Sequence, residues 1–319
     1  AARKLAGPMK ELRVFDGGAH PGLTAEVCEH LQIAKGQSEL ITFANGEFST
    51  LIQESVRGRD VFLFQTSVDP IHDNLMSTLI MIDALKRAAA KRVTAVLPHF
   101  PYARQDQKTR GREPITAKLV ANMISTAGAD GCVMMDLHTG AIQGFFDLPT
   151  DHLTALPLFA DYFELKDLKP LTVVSPDAGG VRRARYLAQR LHADLAILDK
   201  RREKPNEAKT VNVIGDVKGR SVILFDDMID TGGTICEGVE ILRRCGAREI
   251  YICATHAVFS SPATERLEAV GAKEIVVSNT IPLKRDQRLE NLTVLSVAKL
   301  LSMAILRIHE NRSVSELFV

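Results

Sequence analysis

A pair of adjacent carboxylates precedes a glycine-rich segment in the second half of the sequence. The apolar run that starts at Val222 leads into it, and its polar and glycine residues are Asp226, Asp227, Asp230, Thr231, Gly232, Gly233 and Thr234. Glycines let the backbone approach a ligand closely, and a helix that begins there adds N–H donors. We therefore expect this segment to hold a phosphate group. The spacing differs from GxxxxGK[ST], which excludes a P-loop.

The presence of Asp226 and Asp227 needs its own explanation, because carboxylates beside a phosphate site would repel the phosphate. They are explained if they bind sugar hydroxyls, or if a magnesium ion offsets their charge. The pattern that follows places Ile235, Val239 and Leu242 on one helical face, and Gly246 ends it.

Two further strand ends carry ionisable side chains. Ser175-Pro-Asp-Ala-Gly-Gly180 repeats the order of strand, acid, glycine pair and helix, so Asp177 is expected at the ligand-binding edge of the sheet or, alternatively, as a helix N-cap. In the first half, Asp136 and His138 follow an apolar strand. Alternation along a strand predicts that they share one side, where they could bind a metal or serve only the structure.

Two segments supply positive charge. The stretch from Leu198 through Arg202 to Lys209 predicts a mobile loop with cations that could close over a polyphosphate, although a solvated charge run is the simpler interpretation. The segment from Pro98 to Asp106 predicts an extended polar loop, in which Arg104 and Gln105 could contact a nucleotide.

The elements that must position these residues alternate as in an α/β protein with mostly parallel sheets. Short apolar runs predict the strands Val61–Gln65, Val93–Leu97, Cys132–Met135, Leu171–Ser175, Val222–Phe225, Ile250–Ala254 and Ile275–Ser278. Amphipathic patterns predict helices near 75–82, 116–126, 181 and 234. We expect domains at 9–149 and 150–319, with a helix near 298–308 that joins the first domain.

Composition excludes several classes of protein. The 40 Lys and Arg residues nearly balance the 39 Asp and Glu residues, and this net charge of +1 argues against a nucleic-acid-binding domain. No apolar run approaches the ~18 residues of a membrane span. The five cysteines form no CxxC pair and are expected to be buried thiols in a reducing cytoplasm, not a zinc site.

The chain resembles the ribose-phosphate pyrophosphokinase (phosphoribosyl pyrophosphate synthetase) family, phosphate-activated class, from about residue 11 to the C-terminus. The matching strings are Phe43-Ala-Asn-Gly-Glu47, Ser55-Val-Arg-Gly58, Tyr102-Ala-Arg-Gln-Asp106, Asp136-Leu-His138, Gln143-Gly-Phe-Phe-Asp147, Ser175-Pro-Asp177, Asp199-Lys-Arg-Arg202 and Phe225-Asp-Asp-Met-Ile-Asp-Thr-Gly-Gly-Thr234. The resemblance implies two similar domains of the type I phosphoribosyltransferase fold. It also implies Mg²⁺-dependent transfer of the diphosphoryl group of ATP to O1 of ribose 5-phosphate.

The resemblance also implies roles for individual residues. Lys200 and Arg202 would be catalytic, and His138 and Asp177 would bind magnesium. Ribose 5-phosphate would be held by Asp226, Asp227 and the segment Asp230–Thr234. The residues that would bind ATP are Phe43, Asn45, Gly46, Glu47, Arg104 and Gln105.

Regulation and assembly are implied by the resemblance alone. Family members form homohexamers, and inorganic phosphate and ADP are their effectors. The corresponding regulatory positions are Ser55, Arg57, Ser313 and Ser315.

Two alternative functions compete with the synthetase reaction. A non-catalytic regulatory relative is disfavoured, because the chain keeps Lys200, Arg202 and His138. A purine or orotate phosphoribosyltransferase would share only the segment Asp226–Thr234 and would not need the ATP strings of the first half. A dehydrogenase is excluded because no GxGxxG follows the first strand.

Overall fold

The computed structural model describes residues 11–201 and 210–318, which form two α/β units. The first unit runs to Leu153 and also contains Thr280–Pro282 and the chain from Ser296 onward. The second unit contains Thr154–Asn279 and Leu283–Leu295.

The strands of the first unit form a five-stranded parallel sheet and a separate hairpin. The sheet has the order β1-β4-β5-β6-β7, and β2 pairs with β3 in the antiparallel hairpin. These strands are β1 (Leu12–Asp16), β2 (Ser38–Thr42), β3 (Phe48–Ile52), β4 (Asp60–Phe64), β5 (Arg92–Leu97), β6 (Gly131–Met135) and β7 (Thr150–Leu153).

The second unit is built on a seven-stranded sheet. Its strands are β8 (Leu171–Ser175), β9 (Asp194–Arg201), β10 (Thr210–Ile214), β11 (Ser221–Ile229), β12 (Glu249–Ala257), β13 (Glu274–Ser278) and β14 (Leu292–Leu295). Their order is β10-β9-β8-β11-β12-β13-β14, and every pair is parallel except β9 with β10.

Helices connect the parallel strands. They are α1 (Pro21–Leu31), α2 (Ile71–Arg87), α3 (Thr116–Ala127), α4 (Leu156–Glu164), α5 (Val181–Arg190), α6 (Gly233–Arg244), α7 (Ala263–Val270) and α8 (Ala298–His309). Each unit has its own apolar core, and every residue of β6 and of β8 is buried. Strands that are buried at every position belong inside a sheet with both faces covered, so the predicted α/β class is confirmed.

Two strands of the second sheet are longer than their apolar runs predict. β11 continues past Phe225 to Ile229, so Asp226 and Asp227 lie inside the strand. β9 continues to Arg201 and pairs with β10, with Lys200 opposite Val211. The prediction of a loop over 198–209 is therefore wrong for 198–201, because main-chain pairing between antiparallel strands does not require apolar side chains. The rest of that segment, 202–209, lies outside the described residues.

The last helix, α8, belongs to the first unit because it contacts α1 and the start of β4 and of β5. α8 packs on α1, and His309 Nδ1 lies 2.6 Å from Asp60 Oδ2 at the start of β4. Arg92 forms two hydrogen bonds with the carboxylate of Asp60, at 2.7 and 2.5 Å, and donates a third, of 3.0 Å, to the carbonyl of Ile308. These side chains fix the end of α8 to β4 and β5.

The cysteines are less uniformly buried than the sequence suggests. Cys28, Cys132 and Cys253 are buried, whereas Cys236 is half-buried and Cys245 is exposed. The expectation of five buried thiols is therefore wrong for Cys245, which caps the C-terminal end of α6 at the surface. Within the described ranges, no helix combines the length and the apolar character that a membrane crossing requires.

Candidate functional site

The strongest candidate site in the second unit is the loop between β11 and α6. Gly232 has φ +74° and precedes the helix, a conformation that an L side chain rarely adopts. Arg266 Nη1 donates a 3.0 Å hydrogen bond to the carbonyl of Thr231 and so anchors the loop. The first N–H groups of α6 have no partner within the helix, and the helix dipole favours an anion there. The predicted segment Asp230–Thr234 therefore has the local structure of a phosphate-binding loop.

Asp226 and Asp227 occupy different environments although they are adjacent. The side chain of Asp227 is 3% exposed and lies 3.1 Å from Nη2 of Arg183, whereas Asp226 is 17% exposed and lies 3.9 Å from the same nitrogen. The N–H of Asp227 donates a 2.8 Å hydrogen bond to Asp226 Oδ1. Burial, and then the carboxyl of Asp227, raise the pKa of Asp226 to about 8. A ligand that donates hydrogen bonds or brings a cation would offset this unfavourable charge.

The loop after β8 carries the third carboxylate of this unit. Because β8 neighbours β11 in a parallel pair, the ends of the two strands meet at one edge of the sheet. The charge of Asp177 contributes to the raised pKa of Asp226. Asp177 is exposed, and its Oδ1 accepts a 3.0 Å hydrogen bond from the N–H of Gly180. The N-cap of α5 is Gly180, so the alternative prediction of Asp177 as the helix N-cap is wrong, and the bond to Gly180 instead orients the Asp177 carboxylate in the loop before the helix.

Gly180 allows this loop to close. A Cβ at this position would lie 2.7 Å from Oγ of Ser175, which is buried and donates a 2.7 Å hydrogen bond to the carbonyl of Asp177. We expect Gly180→Ala to displace that hydroxyl and to lower the free energy of unfolding by about 1–3 kcal/mol, the cost of an unsatisfied buried group. Urea unfolding measures the change.

Removing the hydroxyl provides the control for this substitution. In Ser175→Ala the space for the new Cβ is already open, so adding Gly180→Ala should cost less than it does in the unmodified protein. Equal costs in the two backgrounds would show that the close approach does not constrain the loop.

In the first unit, the structure connects two of the predicted strand-end loops. Oγ1 of Thr139, next to His138, donates a 2.5 Å hydrogen bond to the carboxylate of Asp106. Gln105 Oε1 accepts a 2.5 Å hydrogen bond from Thr116 at the start of α3. Arg104 is exposed. The loops after β5 and β6 therefore lie together, with Arg104, Gln105 and His138 in them.

The predicted alternation of Asp136 and His138 is wrong. β6 ends at Met135, and Asp136 is buried with φ +38°, so the strand period does not extend to His138. Aspartate tolerates the left-handed region better than most residues. The turn is held by the N–H of Leu137, which donates a 3.0 Å hydrogen bond to Nε2 of His152 on β7. His138 leaves this turn half-buried.

The residues expected at the adenine lie at the tip of the β2–β3 hairpin. The N–H of Phe43 donates to the carbonyl of Glu47 at 2.8 Å, and the N–H of Glu47 donates to Asn45 Oδ1 at 3.2 Å. Gly46 has φ +88° and closes the turn. The Phe43 side chain is 51% exposed, so an aromatic face is presented at the tip.

The structure describes some, but not all, of the residues predicted to be catalytic or regulatory. Lys200 lies in β9, and Arg202 lies outside the described residues. Ser55 and Arg57 are exposed between β3 and β4. Ser313 and Ser315 follow α8, and their hydroxyl oxygens lie 2.8 Å apart.

The donors expected for magnesium are compatible with a site completed by substrate. The described part of the chain contains no group of three or more His, Cys, Asp or Glu side chains arranged to hold a metal. Mg²⁺ commonly binds one or two carboxylates together with substrate phosphates. The exposed, oriented carboxylate of Asp177 fits that pattern by its chemistry.

Arg183 and His152 are functional candidates that the sequence analysis missed. Arg183 is in the first turn of α5, where the helix dipole disfavours a cation, and the contact with Asp227 offsets that effect. The sequence did not distinguish it from Arg182 in the same turn. His152 gave no signal either, because its contact with Leu137 depends on the pairing of β6 with β7.

Comparisons with known proteins agree on one family. A family model described as the N-terminal domain of ribose phosphate pyrophosphokinase matches residues 12–128, and one described as the phosphoribosyl synthetase-associated domain matches residues 198–319. A ribose-phosphate pyrophosphokinase of Synechococcus elongatus is 54% identical, over 96% of this chain and 93% of that protein. Its counterpart in Caldanaerobacter subterraneus is 53% identical, over 96% of this chain and 98% of that protein.

A solved structure extends the similarity to the fold. The crystal structure of phosphoribosylpyrophosphate synthetase from Mycobacterium smegmatis superposes with a TM-score of 0.90 and 49% identity, covering 94% of this chain and 99% of that one.

Proposed function

Because this chain belongs to the ribose-phosphate pyrophosphokinase family, we propose that it transfers the β,γ-diphosphoryl group of ATP to O1 of ribose 5-phosphate. The products are 5-phosphoribosyl 1-diphosphate and AMP. The enzyme is a ribose-phosphate diphosphokinase and serves nucleotide biosynthesis.

The observation that supports this proposal most directly is the strand, loop and helix from β11 to α6. Asp230–Thr234 would bind the 5-phosphate through the N–H groups at the start of α6. Asp226 and Asp227 lie in β11, shortly before this loop, and would accept hydrogen bonds from the ribose hydroxyls. One segment thus offers a phosphate site next to a sugar site, as a pentose phosphate requires.

The first unit would bind ATP. Phe43 would stack on the adenine, with Asn45, Gly46 and Glu47 beside it at the hairpin tip. Arg104 and Gln105 would contact the nucleotide from the loop after β5. The exposed aromatic ring and the exposed guanidinium support this assignment.

The chemistry assigns the remaining residues. O1 of ribose 5-phosphate attacks the β-phosphorus and releases its proton to solvent. The bond from that phosphorus to the oxygen bridging to the α-phosphate breaks, so that oxygen leaves with AMP. Negative charge increases on the transferred oxygens and on the departing AMP. Lys200 and Arg202 would stabilise that charge.

Magnesium is proposed as the cofactor, and His138 and Asp177 are the residues that the family resemblance implies as its ligands. When bound, it supplies positive charge that offsets the phosphates. Asp226 and Asp227 need only orient the sugar, so no side chain has to act as a strong base.

Assembly and regulation are proposed from the family resemblance, and location from the cysteines. The assembly is proposed to be a homo-oligomer, by family resemblance a hexamer. Inorganic phosphate and ADP would act as effectors through Ser55, Arg57, Ser313 and Ser315. Five free thiols suit the reducing cytoplasm.

Phosphorus NMR of the protein with ATP, ribose 5-phosphate and magnesium tests the function. We expect the ATP signals to be replaced by those of AMP and a sugar diphosphate. Omitting ribose 5-phosphate or adding EDTA should abolish the change, and repeats with inorganic phosphate and with ADP test the effectors.

The same experiment separates the alternatives. A protein that leaves ATP unchanged is a non-catalytic relative, and the proposed reaction is then wrong. Consumption of 5-phosphoribosyl 1-diphosphate only when a nucleobase is added would instead identify a phosphoribosyltransferase.

A further inference from the structure

Arg183 is the cation that faces the two adjacent carboxylates of β11. It is in the first turn of α5, and its side chain is 20% exposed. Its Nη2 lies 3.1 Å from Asp227 Oδ1 and 3.9 Å from Asp226 Oδ1. One guanidinium thus contacts the buried member of the pair and approaches the more exposed one.

The contact between Arg183 and Asp227 orients the two carboxylates one after the other. Asp227 is 3% exposed, so its charge needs a partner, and Arg183 provides it. The N–H of Asp227 in turn donates a 2.8 Å hydrogen bond to Asp226 Oδ1. The guanidinium therefore orients Asp227 directly and Asp226 through the main chain, and it leaves Asp226 17% exposed at the sheet edge.

Arg183 also changes the charge that a phosphate would encounter. Asp177, Asp226 and Asp227 concentrate carboxylates at the end of β8 and in β11, beside the loop Asp230–Thr234. A phosphate dianion would be repelled by these carboxylates, and the half-buried guanidinium of Arg183 among them reduces the repulsion.

We propose that Arg183 is a positioning residue that prepares Asp226 and Asp227 to accept the hydroxyls of ribose 5-phosphate. The inference rests on the proposed function, since it takes that sugar phosphate as the ligand. Arg183 acts through the carboxylates and does not contact the reacting atoms.

Arg182 provides a matched control. It precedes Arg183 in the same turn of α5 and is exposed. Arg183→Gln and Arg182→Gln therefore remove the same charge from the same helix, but only the first removes the contact with Asp227. Arg183→Lys keeps the positive charge but loses the planar guanidinium, which can donate two hydrogen bonds to one carboxylate.

The experiment compares sugar binding by calorimetry, with ribose 5-phosphate and with 2-deoxyribose 5-phosphate, which lacks one hydroxyl. We expect Arg183→Gln to weaken ribose 5-phosphate binding by at least about tenfold, the effect of one lost charged hydrogen bond. Binding of 2-deoxyribose 5-phosphate should weaken clearly less, because one of the hydroxyls that the carboxylates would bind is already absent from it. Arg182→Gln should bind both sugars normally, Arg183→Lys should recover part of the loss, and the KM for ATP should stay within about twofold.

Several results would overturn the inference. Equal losses for the two sugars, or a similar loss for ATP, would show that Arg183 only supports the fold. Binding by Arg183→Gln that equals that by Arg182→Gln would remove it from the site. A different result would contradict the proposed function: an unmodified protein that binds ribose 5-phosphate but transfers no diphosphate to it. In that case the binding comparison still decides the role of Arg183.

Discussion

Replacement of Asp226 by asparagine should stabilise the protein at pH 8 and at the same time reduce its activity. The carboxyl is buried beside Asp227, and both effects raise its pKa to about 8. Asparagine matches the protonated form in shape and carries no charge to bury. Sugar hydroxyls that donate to this carboxyl favour its ionised form, so loss of the acceptor should lower kcat/KM for ribose 5-phosphate about tenfold to a hundredfold, as expected for a hydrogen bond to a charged group.

The stability change has a defined pH dependence. Because folding raises the pKa from its ordinary 3.8, the folded protein holds a proton at Asp226 that the unfolded chain releases. The contribution of this group to the free energy of unfolding therefore falls as the pH rises from about 4 to about 8. The Tm of Asp226→Asn relative to the unmodified protein should increase across this interval. A gain of 1 kcal/mol would raise Tm by about 2–4 °C in a domain of this size.

Thermal unfolding at pH 5 and pH 8, with EDTA present, measures this difference. Asp167→Asn is the control, because Asp167 is an exposed aspartate of the same unit. Its Tm should follow the unmodified protein at both pH values. A Tm difference for Asp226→Asn that is the same at pH 5 and pH 8 would contradict the raised pKa.

Lys200→Ala should leave the protein folded and remove most of its turnover. Lys200 would stabilise the charge that develops on the transferred phosphate, and loss of one such donor typically costs about 10²–10³ in kcat. Its main chain pairs with Val211 in the β9–β10 hairpin, and alanine can keep that pairing. AMP release under saturating ATP and ribose 5-phosphate measures kcat, and circular dichroism confirms the fold.

Two further variants make this result specific. Lys200→Arg keeps the positive charge and should retain more activity than Lys200→Ala. Lys299→Ala removes an exposed lysine from α8 and should turn over normally. A near-normal kcat for Lys200→Ala would exclude Lys200 from catalysis.

The parts of the site that depend on local sequence were predictable. Gly232, Gly233 and Gly246 mark the two ends of α6, and Ile235, Val239 and Leu242 are buried on its inner face as their spacing indicates. β8 begins and ends at the predicted residues, because an apolar run between polar residues defines a short buried strand.

The parts that depend on contacts between distant segments were not predictable in the same way. Asp136 leaves the strand in a left-handed turn that His152 stabilises from β7. Arg183 meets Asp227 only because β8 and β11 are neighbours. Leu119 follows the helical pattern of α3 but is 56% exposed, since hydropathy does not say how much of a helix a sheet covers.

The connection of α8 to β4 affects the order in which the chain can fold during synthesis. His309 and Asp60, which meet at 2.6 Å, are separated by 249 positions, so at a typical elongation rate roughly 12–50 s pass between their translation. Every residue of the second unit, up to Leu295, is made before α8. The first unit must therefore keep part of its apolar surface uncovered while the whole second unit is synthesised, and this interval is when chaperones would be needed most.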